Sequence, residues 1–221
     1  MKHIVPNNVV NYDCFEQTIS ELEFMEEGCP LLESLHCGNN RLTTLDLTKC
    51  PNLQILNCYF NELTTLDLSG CPNLRELYCH FNLLTTLDLS GCPNLHTLSC
   101  LHNQLTTLDL SKCATYLNKL DCGYNQLTSL DLSQCENLET LICNSNQLTS
   151  LDLSQCAKLK YLNCGFNEIV DLDIYYCPQL RDLLCNENPF TDKCEFSMTL
   201  PIYKYFTEYI KENHCKFPIL K

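Results

Sequence analysis

Sixteen cysteines in this chain stand on two interleaved ladders of fixed pitch. One ladder is Cys37, Cys58, Cys79, Cys100, Cys122, Cys143, Cys164 and Cys185; the other is Cys29, Cys50, Cys71, Cys92, Cys113, Cys135, Cys156 and Cys177. Each steps by 21 residues, with a single step of 22. Only Cys14, Cys194 and Cys215 fall outside. Disulfide frameworks are irregularly spaced, so a fixed period marks a repeated structural position instead.

The leucines keep the same beat. Coils begin at Leu32, Leu53, Leu74, Leu95, Leu117, Leu138, Leu159 and Leu180; the pattern is LxxLxCxxNxL, with Ile169 and Phe190 at the last place in the final two, and through the seventh coil it is followed by a variant of TTLDLSxCPN. The fourth coil carries one extra residue, near Thr115 and Tyr116. Within a coil, Leu35 and Cys37 alternate with His36, the period-two pattern of a half-buried strand. That alternation lasts only a few residues, so one coil cannot hide its own apolar edge. Stacking coils at roughly 4.8 Å hides it continuously, and eight coils make a body on the order of 35 Å long. The spacing Leu42-x-x-Leu45-x-Leu47 repeats Leu32-x-x-Leu35-x-Cys37, and the Thr-Thr pairs disfavour helix. The convex side is therefore expected to be extended.

This pattern resembles the leucine-rich-repeat family, with Cys in the third apolar place. It is most similar to the 21-residue, cysteine-ladder repeats of bacterial internalin type, over about residues 29–190. The resemblance implies an α/β-class solenoid: a right-handed superhelix with a parallel β-sheet lining its concave side. The reading divides the chain into an N-terminal helical cap (1–31), eight leucine-rich repeats (32–190) and a C-terminal cap with a helix (191–221). Phe15, Ile19 and Leu22 predict an amphipathic helix over 13–26, started by Asp13 and Glu16. Ile202, Phe206, Tyr209 and Ile210 predict another over 200–213, with Thr199 as its N-cap.

Three columns invite a chemical reading. No CxxC occurs, and a column supplies one sulfur per coil, so the cysteines are read as small buried hydrophobes and not as metal or redox groups. The column Asn40, Asn61, Asn82, Asn103, Asn125, Asn146, Asn167 and Asn188 offers amides to neighbouring turn backbones. The column Asp46, Asp67, Asp88, Asp109, Asp131, Asp152 and Asp173 sits between inward leucines or their equivalents and so points outward. It is read as a solvated structural face, since calcium needs oxygens converging on one point. No cofactor and no metal site are expected.

The 27 acidic and 14 basic residues give a formal charge of −13, with no Lys/Arg-rich run. Nucleic acid and anionic membrane surfaces are poor partners for such a chain. The first residues, Met1 to Asn8, lack a secretory apolar run, and no stretch reaches the length of a membrane span. Residence in the cytoplasm, or export without a Sec-type signal, is expected. No nucleophile elbow, phosphate loop or HExxH is present, so no enzymatic activity is expected.

Function then falls to the variable positions. An apolar and aromatic cluster runs through coils two to five: Ile55, Tyr59, Phe60, Tyr78, His80, Phe81, Leu101, His102 and Tyr124. Glu33, Glu76 and Asp121 are candidate rim residues. Aromatic side chains at solvent-facing sites point to an interface. Phe60, Phe81, His102, Tyr124 and Phe166 share one repeat position, which the sequence leaves open as either coil-stacking or binding. The expected function is non-catalytic protein binding on the concave face, by a monomer. The alternatives are carbohydrate binding, or a microbial effector or surface protein that binds a host molecule.

Overall fold

The structure, a computed structural model, describes residues 1–190. Its strands are β1 (Lys2–Val5), β2 (Asn11–Asp13), β3 (Glu21–Phe24), β4 (Ser34–His36), β5 (Ile55–Asn57), β6 (Glu76–Tyr78), β7 (Thr97–Ser99), β8 (Lys119–Asp121), β9 (Thr140–Ile142), β10 (Tyr161–Asn163) and β11 (Asp182–Leu184). Nine of them form one parallel sheet in the order β2-β4-β5-β6-β7-β8-β9-β10-β11. The register aligns Leu35, Leu56, Leu77, Leu98, Leu120, Leu141, Leu162 and Leu183 across the sheet. Each strand of this sheet is only three residues long, as the brief alternation in the sequence requires, and it gains stability from the neighbours that cover its edges.

The core is a stack of leucine and cysteine layers. Both cysteine ladders point inward; the 17 cysteines of the described residues are buried and free. Each of the first seven coils contributes two small thiols, one from each ladder, and none of these sulfurs is committed to a disulfide.

The convex side is extended, as expected. Leu45 and Leu47 turn inward while Asp46 faces solvent. Between coils it carries one backbone bond per step, such as Glu62 N–H to Leu42 O at 2.9 Å and Leu83 N–H to Leu63 O at 2.9 Å. No strand is assigned there. Tight turns close each coil, for example Cys50 N–H to Leu47 O at 3.0 Å and Leu53 N–H to Cys50 O at 3.2 Å. The extra residue of the fourth coil widens this turn: Ala114 N–H reaches Leu110 O at 2.9 Å, and Ala114 is buried. The sheet does not notice, since Thr97 still pairs with Lys119 and Leu98 with Leu120.

The helix expected over 13–26 is not formed, and no helix occurs among the described residues. That segment instead makes an irregular coil. β2 adds to the sheet beside β4, with Tyr12 opposite Leu35, and β3 pairs in parallel with β1. Cys14, Ile19 and Leu22 take core places, whereas Phe15, the third member of the expected helical stripe, stays 40% exposed. The first repeat dictates this outcome. Its open edge offers His36 O to Cys14 N–H at 2.8 Å and Gly38 O to Glu16 N–H at 3.1 Å. Asn40 Oδ1 accepts from Gln17 and Ile19 N–H, and Asn40 Nδ2 donates to Cys14 O. A helix would leave His36 O and Asn40 Oδ1 without these partners, at a cost on the order of 1–3 kcal/mol each. The cap expected over 191–221, with its helix over 200–213, lies outside the described residues.

Candidate binding surface

The asparagine column builds the corner on which the aromatic residues sit. Asn82 is representative: its Nδ2 donates to Cys58 O at 3.0 Å and to Cys79 O at 3.1 Å, and its Oδ1 accepts from Leu63 N–H at 3.0 Å. One side chain thereby locks two successive coils. The same pattern recurs at Asn61, Asn103, Asn125, Asn146 and Asn167.

Immediately before each of these asparagines the backbone turns left-handed. Asn39, Phe60, Phe81, His102, Tyr124, Ser145, Phe166 and Glu187 all have φ between 49° and 56°. That region costs an L-residue roughly 1–2 kcal/mol and suits Gly or Asn. Four of the eight residues are Phe or Tyr, and a fifth is His. Local conformation does not select them, so their side chains must carry the reason.

Those side chains form a ladder of rings. Phe60 stacks on Phe81 with centroids 4.3 Å apart and planes 6° from parallel. Phe81 stacks on His102 at 4.4 Å, and His102 on Tyr124 at 4.2 Å. Beside it, Tyr59 stacks on His80 at 4.7 Å and 7°. The two stacks meet edge to face, with Tyr59 against Phe60 at 5.9 Å and His80 against Phe81 at 5.8 Å. Gly38 makes room for Tyr59: a Cβ there would lie 3.1 Å from its ring. Leu101 continues the inner column and leans over Gly123.

The nine candidates thus fall into two groups. Tyr59, Phe60, His80, Phe81, Leu101, His102 and Tyr124 converge on the corner. Ile55 and Tyr78 lie on the open sheet face, half-buried, opposite Glu76 and Asn57 respectively. Tyr78 makes no ring contact among the described residues; its hydroxyl donates to Glu76 Oε2 at 2.9 Å. Burial, and then the Glu76 carboxylate, push the Tyr78 phenol up to about 12. Of the rim residues, Glu33 is exposed, Glu76 is held by Tyr78, and burial raises the pKa of Asp121.

Burial lowers the pKa of His80 and so disfavours its charged form in the stack, with Nδ1 3.2 Å from Ser99 Oγ. Two features escaped the sequence reading. Phe15 packs on Tyr59 at 6.1 Å, extending the aromatic surface toward the N-terminus. His36 is held between Ser34 Oγ at 2.8 Å and Asn57 Nδ2 at 2.7 Å, a polar strip at the start of the sheet. The first was hidden by reading 13–26 as a helix. The second was signalled by the outward places of Ser34, His36 and Asn57.

Asp46, Asp67, Asp88, Asp109, Asp131, Asp152 and Asp173 each accept, through Oδ1, the N–H two residues on. They therefore fold the convex turns. Hydrogen bonds from Thr48, Ser69 and Ser90 hold Asp46, Asp67 and Asp88 below the usual carboxylate range. Among the described residues no group of three or more His, Cys, Asp or Glu is placed to hold a metal ion, and no helix is long and apolar enough to cross a membrane.

Known proteins share this architecture. A family model of leucine-rich repeats, in two copies, matches residues 30–70 and 72–112. The functional domain of InlJ from Listeria monocytogenes, which includes a cysteine ladder, is 27% identical, with a TM-score of 0.51 over 80% of this chain and 53% of its own. A leucine-rich-repeat protein of Leptospira interrogans is 27% identical, with a TM-score of 0.71 over 83% of this chain and 56% of that one. YopM from Yersinia enterocolitica is 25% identical, with a TM-score of 0.70 over 90% of this chain and 41% of its own. The match therefore spans about half the length of these structures. No curated protein sequence matches the chain. Repeat model, coil geometry and inward thiol ladders agree: the chain is a leucine-rich-repeat solenoid, and its coils are similar to those of internalin-type proteins.

Proposed function

We propose that the chain is a non-catalytic protein-binding module whose concave face, around the double aromatic stack, receives the partner. The fold is of a kind that generally serves as a non-enzymatic scaffold for protein interaction. The observation that carries the reading is the four-ring ladder Phe60–Phe81–His102–Tyr124, set in left-handed turns and flanked by the Tyr59–His80 pair. Rings already immobilised by their neighbours lose little entropy on binding, which favours them as hot spots. The formal charge of −13 favours a partner with a basic surface.

The test is a triple variant, Tyr59→Ala, Tyr78→Ala and Phe81→Ala, measured by calorimetry against a partner first shown to bind the native chain stoichiometrically. A loss of at least tenfold in affinity, with the melting transition kept, supports the reading. Unchanged affinity removes the patch. Exposed tyrosines beside asparagines also suit sugars, so a glycan array on the same variant separates carbohydrate recognition from protein recognition. A microbial effector or surface role follows only from likeness to InlJ and YopM, and binding to host extracts tests it.

A further inference from the structure

The aromatic ladder has a missing rung. Tyr124 stacks one face on His102, and the next ring in the same column is Phe166, two coils away. Between them stands Ser145, in the same left-handed turn. Two sheet spacings separate Tyr124 from Phe166 by about 9 Å, room for one flat group with each ring roughly 4.5 Å away. Neighbouring rungs of the ladder are 4.2–4.4 Å apart, so an inserted plane would continue the stack at nearly its native spacing. Both flanking rings are open to solvent, Tyr124 at 46% and Phe166 at 53%. The floor is polar: Ser145 Oγ accepts from Asn144 Nδ2 at 3.2 Å and keeps a second lone pair.

Charge selects the occupant. Residues 120–157 and 161–180 contain no Lys or Arg, while Asp121 stands three residues before Tyr124 and Glu168 two residues after Phe166. The nearest cations in sequence are Lys119, Lys158, Lys160 and Arg181; Lys160 pairs with Glu139 at 2.7 Å and Lys158 donates to Asn137 Oδ1 at 2.6 Å. A guanidinium is flat, cationic, stacks on aromatic faces and donates in its own plane. We propose that Tyr124, Ser145 and Phe166 frame a slot for an arginine side chain of a protein partner, the guanidinium sandwiched between the two rings and donating to the Ser145 hydroxyl. This deepens the protein-binding reading and rests on it.

The full chain, with ring-labelled Tyr and Phe, is titrated with N-acetyl-arginine methylamide and followed by NMR. Saturable shifts of the Tyr124 and Phe166 ring signals are expected at millimolar probe, at least fivefold weaker with the lysine analogue, and unchanged in Tyr116→Ala. Ser145→Phe restores the rung with a residue that the same turn holds at Phe60, Phe81 and Phe166, so it keeps the fold. It should abolish the response and leave the melting temperature no lower. Absence of saturation, an equal response to lysine, a preference for the tyrosine analogue or N-acetylglucosamine, or shifts that survive Ser145→Phe would overturn the slot. Such failure is separable from failure of the binding reading, which is tested at Tyr59, Tyr78 and Phe81 in the second and third coils.

Discussion

Asn82 Oδ1 accepts the backbone N–H of Leu63 at 3.0 Å, one coil back, while its amide nitrogen donates to carbonyls of both coils. The bond ties the turn that carries Phe81 to the coil below it. Asn82→Ala strands the buried Leu63 N–H, while Cys58 O and Cys79 O each lose one donor and keep Asn61 Nδ2 and Asn103 Nδ2. It should cost about 1–3 kcal/mol, the cost of one buried group left unpaired. Urea unfolding followed by circular dichroism measures it. Asn82→Asp keeps the acceptor but removes the donor, and should also destabilise at neutral pH.

The inner thiols make the fold sensitive to alkali. Burial raises the pKa of Cys37, Cys58, Cys79, Cys100, Cys122, Cys143 and Cys164, with Cys79 and Cys164 pushed to about 12. A raised folded pKa means that the native state binds more protons than the unfolded chain above the unfolded pKa, near 8.5. Stability is then full below about pH 8 and falls as pH rises, by about 1.4 kcal/mol per pH unit for each thiol that ionises only on unfolding. Several such thiols acting together should produce cooperative unfolding near pH 10, read from melting temperature against pH. A flat profile up to pH 11 would contradict the buried-thiol core.

The aspartate turns act at the other end of the scale. Hydrogen bonds in the turns hold Asp46, Asp67, Asp88, Asp109, Asp131 and Asp152 below the normal carboxylate range. Lowered folded pKa values give stability that is present above the unfolded pKa, near 4, and lost as pH falls through the folded values. The melting temperature should therefore drop below about pH 4. Asp88→Asn keeps an Oδ1 acceptor for Ser90 N–H but loses the charge that the turn stabilises, so its melting temperature should lie somewhat below the parent's at pH 7 and fall less on acidification. Asp88→Ala should lower it.

Phe81→Gly separates the two meanings of the aromatic column. Glycine removes the left-handed strain, about 1–2 kcal/mol, and loses two ring stacks of about 0.5–1.5 kcal/mol each. The net change in stability should lie between a gain of about 1 kcal/mol and a loss of about 2 kcal/mol, measured by denaturant titration. A loss above about 3 kcal/mol would mean that the rings hold the coils together.

The solenoid itself was legible because a coil of this length leaves few choices. Leu35, Cys37, Leu42, Leu45 and Leu47 recur so regularly that inward and outward places follow by counting. The N-terminal segment was not legible, because Ile19 and Leu22 are spaced as both a helix turn and an LxxL coil would have them. What decides between these is the open backbone edge at His36 and Gly38, and tertiary hydrogen bonds of that kind leave no mark in residues 13–26 themselves. Of the binding surface, the membership of the ring column could be read directly. Its left-handed backbone, and the open place between Tyr124 and Phe166, could not, since both depend on how one coil sits upon the next.

A ladder of equivalent rungs also poses an addressing problem. A ligand that grips two neighbouring rings could slip along by one coil and find nearly the same grip, giving affinity without a unique docking position. The sequence breaks the degeneracy at its irregular steps: the polar Asn39 before Phe60, and the change from ring to hydroxyl after Tyr124. Those interruptions, more than the rings, would tell a partner where along the solenoid to stop.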